Sequence, residues 1–492
     1  MRRREGSERT DEVIKIMKEE GIENVLCMFS DLRGILQSFT VPAKEFLEGD
    51  AFKGIGFDGS SVRGFKAIEE SDMVWMPDPS TFTVIPWVSD PPQKSMLGFG
   101  DIYEAFGERS GGCVSEVDPR GYVAAKAVEE AELMGFKAVF GPEIEFFVFE
   151  SVDPTHLSYD LWVSPNGGRG DSWGPPRVVP RSPEITPGKL ILRPKEAYFR
   201  APPEDSTNDY RNELAYTLRR MGVEVEMHHH EVATSGQIEL DYKAMEAIKC
   251  GDAFYKYKFA ARNIAAKYGW IATFMPKPIY LDNASGMHTH ISLWRGEPFK
   301  GENAFYDEDD EYGLSQTARY FIGGLIEHSK ALTAICCPTV NSYKRLVPGF
   351  EAPINISWSP RNRSALIRVP LYFRGPKAVR CEYRGCDPSC NPYLAFACLL
   401  TAGLDGVRKS RDPGDPLRVD MYSLTNEEKR RYGVGELPTT LRDALDHLST
   451  DEVLQRALGS HIYESFMELK IEEWNQYCLY ITPWEIMKYL DY

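Results

Sequence analysis

The sequence has no long apolar run. The longest one, Tyr393–Leu404, covers twelve positions and is interrupted by Thr401 and Gly403, whereas a membrane-spanning helix needs about 20 apolar residues. We therefore expect a buried helix here and no membrane-spanning segment. The N-terminus, Met-Arg-Arg-Arg-Glu-Gly-Ser, has no apolar stretch after its basic residues, so a secretion signal is not expected.

Cysteine is also scarce, with 10 residues in a chain of 492. This is too few for a disulfide-stabilised scaffold. The two close pairs, Cys336–Cys337 and Cys386/Cys390, lack the Cys-x-x-Cys spacing of zinc sites. We therefore expect ten reduced thiols and a cytoplasmic location.

Positive charge is in deficit: the sequence has 57 Lys and Arg but 73 Asp and Glu, so its net charge is −16. Such a surface argues against a nucleic-acid binder.

The sequence has no Gly-x-x-x-x-Gly-Lys-[Ser/Thr] motif, so any ATP site is not a P-loop. The dinucleotide-type match at Gly54–Gly59 lacks the flanking strand and helix, and we reject it.

The periodic segments that are present predict an α+β fold with two domains. In residues 1–115 we expect a small domain with a helix at about 11–20 and strands at 24–29, 34–41 and 82–88. Turn residues at Gly111-Gly112 and Asp118-Pro119 suggest the boundary.

Residues 116–492 are predicted to form a large domain with an antiparallel-rich sheet flanked by helices. The expected strands lie at 137–149, 223–242, 270–281, 287–294, 353–358, 365–371 and 378–384. The expected helices lie at about 122–134, 208–221, 244–268, 315–335, 392–408, 439–458 and 460–476. The segment 151–190 is rich in proline and glycine and has no usable period, so a long loop is expected.

Acidic side chains fall on one face of the strand-like segment 141–149. Residues two apart in a strand point the same way, so Glu143 and Glu145 share a face while Ile144 and Phe146 share the other. Two adjacent carboxylates in such an apolar strand repel each other and resist burial, unless a cation lies between them. A solvent-facing strand edge is the alternative.

The same alternation recurs in three other segments, which together suggest a polar funnel that holds cations and anions. A hairpin-like unit carries Glu231 and Glu239. A second segment, read as a strand, has His288 and His290 on one face. A third segment has Arg380, Glu382 and Arg384 on one face. Five Glu and one His form an oxygen-rich set that suits Mg²⁺ or Mn²⁺ better than zinc. Consecutive histidines 228–230 alternate faces and cannot all ligate one ion.

Arginine and lysine complement these acids in two further segments. Lys344, Arg345, Arg361, Arg363 and Arg368 lie close in sequence, interleaved with apolar residues that argue against full exposure. Guanidinium groups bind carboxylate and phosphate in a bidentate manner. Enzymes that transfer phosphoryl groups use metal ions together with arginines to neutralise the negative charge of the phosphates.

A series of long motifs resembles type I glutamine synthetase in order and spacing, over nearly the whole chain. The motifs are Phe57-Asp-Gly-Ser-Ser61, Gly141-Pro-Glu-Ile-Glu-Phe-Phe147, His229-His-Glu-Val-Ala-Thr, Met275-Pro-Lys-Pro, Asn283-Ala-Ser-Gly-Met-His288, Asn341-Ser-Tyr-Lys-Arg-Leu-Val-Pro-Gly-Phe-Glu351, Asn362-Arg-Ser-Ala-Leu-Ile-Arg368 and Asp387-Pro-Ser-Cys-Asn-Pro-Tyr-Leu394.

The resemblance implies a β-grasp-like N-terminal domain, a larger catalytic domain and a dodecamer of two hexameric rings with active sites between subunits. It implies ATP-dependent joining of ammonia to the γ-carboxylate of glutamate through a γ-glutamyl phosphate, with two or more Mg²⁺ or Mn²⁺ ions per site. It leaves nitrogen-regulatory protein partners unknown.

The resemblance also implies roles for individual residues. One metal would be held by Glu145, Glu231 and Glu239, and the other by Glu143, His288 and Glu382. ATP would lie near Glu226, His290, Ser292, Arg363, Arg368 and Lys377. Glutamate would contact Asn283, the Ala284 backbone, Arg345, Glu351 and Arg384.

The ammonium site would combine Asp58, Ser61, Tyr198 and Glu231, with Asp58 contributed by the adjacent subunit and acting as the base. Glu351 would sit on a flap that closes over the intermediate, so Asp58, Glu351 and Arg363 are the expected catalytic residues.

The chain departs from the family pattern at a few positions. Ala284 replaces the usual Gly, Gly385-Cys386 replaces a small residue and Pro, and Ala67 stands where feedback-inhibited branches carry Arg. The surroundings of Tyr422 do not preserve the adenylylation motif, so that modification is not predicted.

Two alternative functions remain open at this point. One is a γ-glutamyl-amine ligase of the same fold that uses a polyamine or ethanolamine, and the other is a catalytically inactive structural relative. The intact Phe-Asp-Gly-Ser-Ser motif with Tyr198 and Glu231 favours ammonia as the acceptor. The presence of all six metal-ligand positions and Glu351 favours an active enzyme.

Overall fold

The structure is a computed structural model that describes residues 2–88, 93–105, 112–150, 152, 195–233, 236–373, 375–419, 421 and 424–492. The expected loop at 151–190, apart from Val152, lies outside these residues, as does Tyr422. The α+β class is confirmed, with two main sheets and flanking helices.

The N-terminal part builds a mixed sheet next to its first helix. Its elements are α1 (Arg2–Glu20), β1 (Asn24–Ser30), β2 (Leu36–Pro42), α2 (Ala43–Leu47), β3 (Ile55–Asp58), β4 (Asp72–Pro77), β5 (Thr83–Val84) and β6 (Ser95–Glu104). Among the described residues the sheet has six strands in the order β2-β1-β6-β4-β3, with β5 on β6. The pair β1/β6 is parallel and the others are antiparallel.

Strands at 24–29 and 34–41 were predicted correctly, but the third expected strand is only the two-residue β5, and β6 was missed. Two glycines that interrupt the β6 sequence mask its strand character. A Cβ at Gly98 would lie 2.4 Å from the Phe82 ring, and one at Gly100 would lie 2.4 Å from the Trp75 ring. Glycine is therefore required here because aromatic side chains pack directly on the backbone.

The second sheet carries the chemistry-bearing segments. Its strands are β7 (Lys137–Phe149), β8 (Val225–His230), β9 (Gln237–Tyr242), β10 (Met245–Glu246), β11 (Ile271–Thr273), β12 (Met287–Arg295), β13 (Glu302–Asn303), β15 (Trp358–Pro360), β16 (Ile367–Val369) and β17 (Cys381–Tyr383). In the described residues the order is β15-β16-β17-β12-β7-β9-β8, with β10 and β11 on β7 and β13 on β12. All pairs except β15/β16 are antiparallel, which confirms the predicted sheet type. Separately, β14 (Asn355–Ile356) pairs with β18 (Gly435–Glu436).

The remaining helices lie before, between and after these strands along the chain. They are α3 (Ala125–Leu133, after a π-helical turn at Pro119–Ala124), α4 (Asn208–Arg220), α5 (Ala247–Lys267), α6 (Gln316–Glu327), α7 (Ser329–Cys336), α8 (Ser342–Arg345), α9 (Pro392–Lys409), α10 (Asn426–Arg431), α11 (Leu441–Leu448), α12 (Glu452–Leu458), α13 (Ser460–Leu479) and α14 (Pro483–Tyr489). None of the helices in the described ranges combines the length and apolar character needed to cross a membrane.

The apolar run noted in the sequence forms α9, which is buried from Pro392 to Gly406. The helix begins there because the Asn391 side chain accepts hydrogen bonds from the first backbone N–H groups and Pro392 occupies the first turn. The ten cysteines are free thiols, as expected.

Several predicted boundaries were wrong. The expected strand at 270–281 ends at Thr273, because Pro276 and Pro278 follow and cannot donate to a ladder. The expected helix at 315–335 is two helices that meet at His328, whose ring bridges Asp405 and Asp451 at 3.2 and 2.6 Å. The helix predicted at 439–458 is likewise divided, and α14 was not predicted.

A buried ion cluster around Arg120 ties the N-terminal sheet to helix α5. Its guanidinium donates to Asp252 of α5 at 2.8 and 3.0 Å, to Asp78 at 2.7 Å and to Asp101 of β6. Arg120 is 5% exposed. One buried guanidinium thus neutralises carboxylates from both the N-terminal sheet and the catalytic part, and removing it would leave buried negative charge uncompensated.

Arg120→Leu is therefore expected to destabilise the protein by about 3–5 kcal/mol. Thermal unfolding of the variant and the wild type measures this. Arg442→Leu is the matched control, since Arg442 forms an exposed i,i+4 pair with Asp446 worth only about 0.3–0.5 kcal/mol. Equal melting temperatures for Arg120→Leu and the control would contradict a stabilising role of the buried ion cluster around Arg120.

Candidate active site

A cavity of about 1000 Å³ opens over the large sheet. Its lining includes Glu143 and Glu145 of β7, Glu239 of β9 and His288 of β12, together with Glu231 just after β8. Most of the expected glutamate and metal residues thus lie in one space, although they come from distant parts of the sequence.

The strand register explains this convergence. β7 lies between β12 and β9, so Glu143 is paired with His288 and Glu145 is paired with Glu239. The β8/β9 hairpin then pairs Glu239 with His229. Because alternate residues of a strand project to the same face, antiparallel pairing brings these side chains together in rows.

A second row crosses β12, β17 and β16. Glu382 is paired with His290 on one side and with Arg368 on the other. Its carboxylate is fully buried and accepts hydrogen bonds from Arg368 and Arg384. Burial alone would raise the pKa of Glu382, but Arg384 and His290 outweigh it and lower the pKa to about 2. Glu382 is therefore ionised at any physiological pH.

Glu143 contacts both histidines of β12. Its carboxylate lies 2.7 Å from His290 Nε2 and 3.4 Å from His288 Nδ1. Arg380 Nε donates to His290 Nδ1 at 3.1 Å. Since a guanidinium can only donate, the proton of a neutral His290 ring lies on Nε2, facing Glu143. Burial opposes ionisation of Glu143, but His290 and His288 together hold its pKa well below the usual range.

The other side of the cluster holds negative charge without enough compensation. Burial, together with Glu145 and Glu239, raises the pKa of Glu231 well above its usual range. Burial, together with Glu143 and Glu145, does the same to Glu239. The pKa of Asp241 is also raised. The buried Oδ1 of Asp241 has no hydrogen-bond partner among the described residues. A bound divalent cation would relieve this repulsion, so the donor set fits such an ion.

Three sets of side chains in this region bring possible ligand atoms within 4.8 Å of one another: Glu143/His290/Glu382, Glu143/Glu239/His288 and His229/Glu231/Glu239. Glu239 belongs to two of the sets, so it lies between two possible ion positions. Oxygen donors predominate, as Mg²⁺ and Mn²⁺ prefer.

Neighbouring polar groups orient Glu145. Its Oε2 accepts hydrogen bonds from Gln237 Nε2 at 3.0 Å and from the Gly286 backbone N–H at 2.9 Å. Gln237 also donates to the Ala284 carbonyl at 3.0 Å. These contacts fix the carboxylate relative to the segment expected to bind glutamate.

The expected glutamate residues also line the cavity: Asn283, Ala284, Arg345, Glu351 and Arg384. Arg345 is 2% exposed, and its Nη2 donates to the Arg384 carbonyl at 3.1 Å. A Cβ at Gly286 would lie 2.8 Å from Arg345 Nη2 and 3.0 Å from His288 Nε2. Glycine at 286 thus lets this arginine approach the metal-ligand row.

Ala284 tolerates its position, because it is not among the residues with positive φ. Glu351, in contrast, has φ of 62°, a left-handed conformation that a glutamate rarely adopts. Its Oε2 lies 3.5 Å from Asn283 Nδ2. The strained backbone therefore aims the Glu351 side chain across the cavity.

Two expected phosphate-binding arginines meet at a tyrosine that sequence analysis missed. Arg363 Nη2 and Arg368 Nη2 donate to the Tyr372 hydroxyl at 3.0 and 2.6 Å. Burial acts to raise the pKa of Tyr372, but the hydrogen bond from Arg363 and the charge of Arg368 lower it. The hydroxyl oxygen thus occupies a position where two guanidinium groups converge on one acceptor.

The remaining expected residues are less central. Glu226 and Lys377 are exposed. Ser292 is buried, and its hydroxyl accepts a hydrogen bond from Trp294 Nε1 at 3.0 Å. None of these three is among the described residues that line the cavity. Tyr198 does line it, and its ring packs 5.3 Å from His229.

Asp58 and Ser61 lie elsewhere. Asp58 is exposed, and its carboxylate accepts hydrogen bonds from Ser60 N and Oγ at 2.9 and 2.7 Å and from Ser61 Oγ at 2.6 Å. These bonds, from Ser60 first and then Ser61, lower the pKa of Asp58. Neither residue is among the described residues that line the cavity of their own chain.

Sequence reasoning missed His229, Gln237, Asp241 and Tyr372, and it placed Arg380 on the polar strand face without predicting its contact with His290. Gln237 and Asp241 were within reach, because both lie two residues from Glu239 on the same strand face. His229 required the pairing of β8 with β9. Nothing in the local sequence indicates that Arg380 contacts His290 or that Tyr372 contacts two arginines.

Comparison with known proteins gives a consistent result. The family model described as glutamine synthetase, catalytic domain, matches residues 116–489, and that described as glutamine synthetase, beta-Grasp domain, matches residues 21–105. The chain belongs to the glutamine synthetase family. It catalyses the ATP-dependent synthesis of glutamine.

Individual members of the glutamine synthetase family are similar over nearly their whole length. A glutamine synthetase of Archaeoglobus fulgidus is 66% identical over 97% of this chain and 96% of the relative. One of Sulfolobus acidocaldarius is 44% identical over 98% of each. A solved structure described as apo GmaS without ligand superposes with a TM-score of 0.80 at 31% identity, over 97% of this chain and 99% of that one.

Membership in the glutamine synthetase family accounts for the chemistry of the cavity. The family uses ATP and divalent metals, and the cavity combines buried carboxylates with several arginines. The β-grasp assignment of the N-terminal sheet follows from the matching family model.

Proposed function

We propose that this cavity binds glutamate and ATP together with at least two Mg²⁺ or Mn²⁺ ions. The observation that carries the proposal is the carboxylate cluster on β7, β9 and β17 and at the end of β8, in which burial and uncompensated negative charge raise the pKa values of Glu231 and Glu239. Glu145, Glu231 and Glu239 would hold one ion, with His229 beside them. Glu143, His288 and Glu382 would hold the other, with His290 beside Glu143.

When bound, the ions supply charge neutralisation that lets a glutamate carboxylate approach the γ-phosphate of ATP. Arg363 and Arg368 would bind the transferring phosphoryl group, since both donate to one acceptor oxygen of Tyr372 in the present arrangement. Glu226, His290, Ser292 and Lys377 complete the proposed ATP contacts.

Glutamate is proposed to bind with its carboxylate groups at Arg345 and Arg384 and with Asn283 and the Ala284 backbone beside it. A free carboxylate is a poor acylating agent, and its conversion to the acyl phosphate provides a good leaving group. Water must then be kept out until ammonia attacks. Glu351, aimed across the cavity at Asn283, is placed to close the entrance.

Ammonium has no lone pair, so a base must remove a proton before attack. We propose that Asp58 is this base and that it comes from a neighbouring subunit, because Asp58 is exposed and does not line the cavity of its own chain. Ser61 holds its carboxylate, and Tyr198 and Glu231 would complete the ammonium site.

The arrangement requires an oligomer, for which we propose a dodecamer of two hexameric rings. The C-terminal segment supports this proposal, because its large apolar side chains face solvent in the isolated chain. Leu479, Ile481, Trp484 and Leu490 are 82%, 69%, 50% and 70% exposed. Large apolar side chains exposed to this extent within one short segment are typical of subunit interfaces. We further propose domains at 1–115 and 116–492 and a cytoplasmic location, which the ten free thiols support.

Binding of Mg²⁺ and ADP provides a direct test of a metal–nucleotide site. A ligand at about 100 times its dissociation constant stabilises the native state by about 2.7 kcal/mol. We expect ADP with Mg²⁺ to raise the melting temperature more than the sum of the shifts from ADP alone and Mg²⁺ alone. Na⁺ at the same ionic strength in place of Mg²⁺ is the control for non-specific ion effects. Absence of any shift would favour an inactive structural relative.

A further inference from the structure

The proposed glutamate contacts lie on three segments, which carry Asn283, Arg345 and Glu351. Lys277 contacts all three segments. Lys277 follows β11 and does not line the cavity itself. Its backbone N–H donates to Asn341 Oδ1 at 2.8 Å, and its carbonyl accepts from Asn341 Nδ2 at 3.1 Å. Asn341 directly precedes α8, the helix that ends in Arg345.

The side chain of Lys277 reaches the other two segments. Its Nζ donates to the Asp282 carbonyl, next to Asn283. The same Nζ lies 4.0 Å from the centroid of the Phe350 ring, and Phe350 directly precedes Glu351. A second cation, Lys195 Nζ, lies 4.6 Å from the same ring.

We propose that Lys277 is a positioning residue that couples closure of the Glu351 flap to the glutamate-binding segment, through its cation–π contact with Phe350 and its bond to the Asp282 carbonyl. The flap is defined here as residues 347–352. The inference rests on the proposed roles of Asn283, Arg345 and Glu351. Lys277 acts through these residues and does not touch substrate.

The chemistry of the flap explains why such a link is useful. The φ of Glu351 is unfavourable for glutamate, so the flap needs contacts that hold it in this conformation. Phe350 and Glu351 are adjacent, so fixing the ring limits where the carboxylate can go. A cation over an aromatic face provides attraction without blocking the cavity.

The protonation state of Lys277 supports the same role. Burial, with a smaller contribution from Lys195, lowers the pKa of Lys277 to about 8, against the opposing effect of Asp282. A lysine with this pKa carries its charge at neutral pH and loses it as the pH rises above 8. The cation–π attraction is therefore present at neutral pH and weakens in alkaline solution.

Lys277→Met tests the proposal, with ammonium-independent phosphate release as the readout. In the presence of ATP, Mg²⁺ and glutamate but no ammonium, phosphate is released when water attacks the acyl phosphate and regenerates glutamate. Phosphate released by intramolecular attack of the α-amine is counted separately from its co-product 5-oxoproline, and direct hydrolysis of ATP is measured without glutamate. A cation–π contact of ordinary strength changes an equilibrium roughly 3- to 30-fold. We expect this release to rise by a factor in that range, and the KM for glutamate to increase.

Two further variants separate coupling from a general structural effect. Phe350→Leu removes the ring, and the double variant Lys277→Met/Phe350→Leu should raise phosphate release by less than the product of the two single effects, because both changes break the Lys277–Phe350 contact. Lys300→Met, at an exposed pair with Glu297, is the control. We expect it to leave phosphate release unchanged.

Unchanged ammonium-independent release in Lys277→Met, or strictly multiplicative effects in the double variant, would overturn the inference. Glutamine formation by the wild type is measured in parallel with ammonium. If the wild type forms no glutamine, the proposed function fails. If it forms glutamine while the variants show no increased release, only the role of Lys277 fails.

Discussion

Glu239→Gln is expected to reduce glutamine synthesis by at least about a thousandfold. Glu239 contributes to two of the three ligand sets, one with Glu143 and His288 and one with His229 and Glu231. Replacing its carboxylate with an amide removes one charge from between two proposed ion positions.

The stability of the variant gives a second signature that distinguishes ligand loss from misfolding. Burial and the charges of Glu143 and Glu145 raise the pKa of Glu239, so its ionised form is disfavoured in the metal-free protein. Removing this charge relieves repulsion. The metal-free variant should therefore melt no lower than the wild type, while the increase of its melting temperature by Mg²⁺ is lost.

Glu246→Gln is the matched control for this experiment. Glu246 lies on the same sheet but is paired with Lys249 and Lys137 away from the cavity. We expect full activity and an unchanged response to Mg²⁺. A Glu239→Gln variant that retains both activity and the Mg²⁺-dependent shift would contradict the proposed metal sites.

Asp58→Ala is the second change with a large expected effect. A positioned general base contributes about 10²- to 10⁴-fold to rate, and we expect a loss in this range when ammonium is the acceptor. Because Asp58 is exposed and its carboxylate accepts hydrogen bonds from Ser60 and Ser61 of the same turn, the variant should fold normally. Ser80→Ala, which removes a similar turn hydrogen bond to Asp78, is the control for local structure.

Mixed oligomers test whether Asp58 serves a neighbouring cavity. Co-expression of Asp58→Ala and Glu239→Gln subunits in equal amounts would create some sites with an intact Asp58 from one subunit and an intact Glu239 from the other. For random assembly with one base per neighbouring site, about a quarter of the sites are complete. Activity near that fraction of the wild type is expected, although each variant alone is inactive. No recovery in verified mixed oligomers would place Asp58 and Glu239 in the same chain's site.

The polar strand faces could be predicted because alternation is a local property. Glu143 and Glu145 do line one cavity, and Glu382 does point toward the same region as His290. Pairing between strands is not local, and this is why the closest partners were not predicted. Sequence alone could not show that Glu143 contacts His290 at 2.7 Å in addition to His288.

The missed strands have a related cause. β6 contains glycines whose function is to accommodate the rings of Phe82 and Trp75, so its sequence lacks the usual strand pattern. The expected strand at 270–281 failed for the opposite reason, since its apolar composition suggested a strand but its prolines end the ladder at Thr273. Packing between elements decided the first case, and the local proline residues decided the second.

The most direct test of the account is phosphate release and product formation with ATP, Mg²⁺ and glutamate, using ammonium, ethanolamine or putrescine as acceptor, for the wild type and Asp58→Ala. We predict one glutamine per phosphate with ammonium, little reaction with the larger amines, and collapse of the ammonium reaction in Asp58→Ala. Product formation only with ethanolamine or putrescine would contradict the account and assign the cavity to γ-glutamyl-amine synthesis.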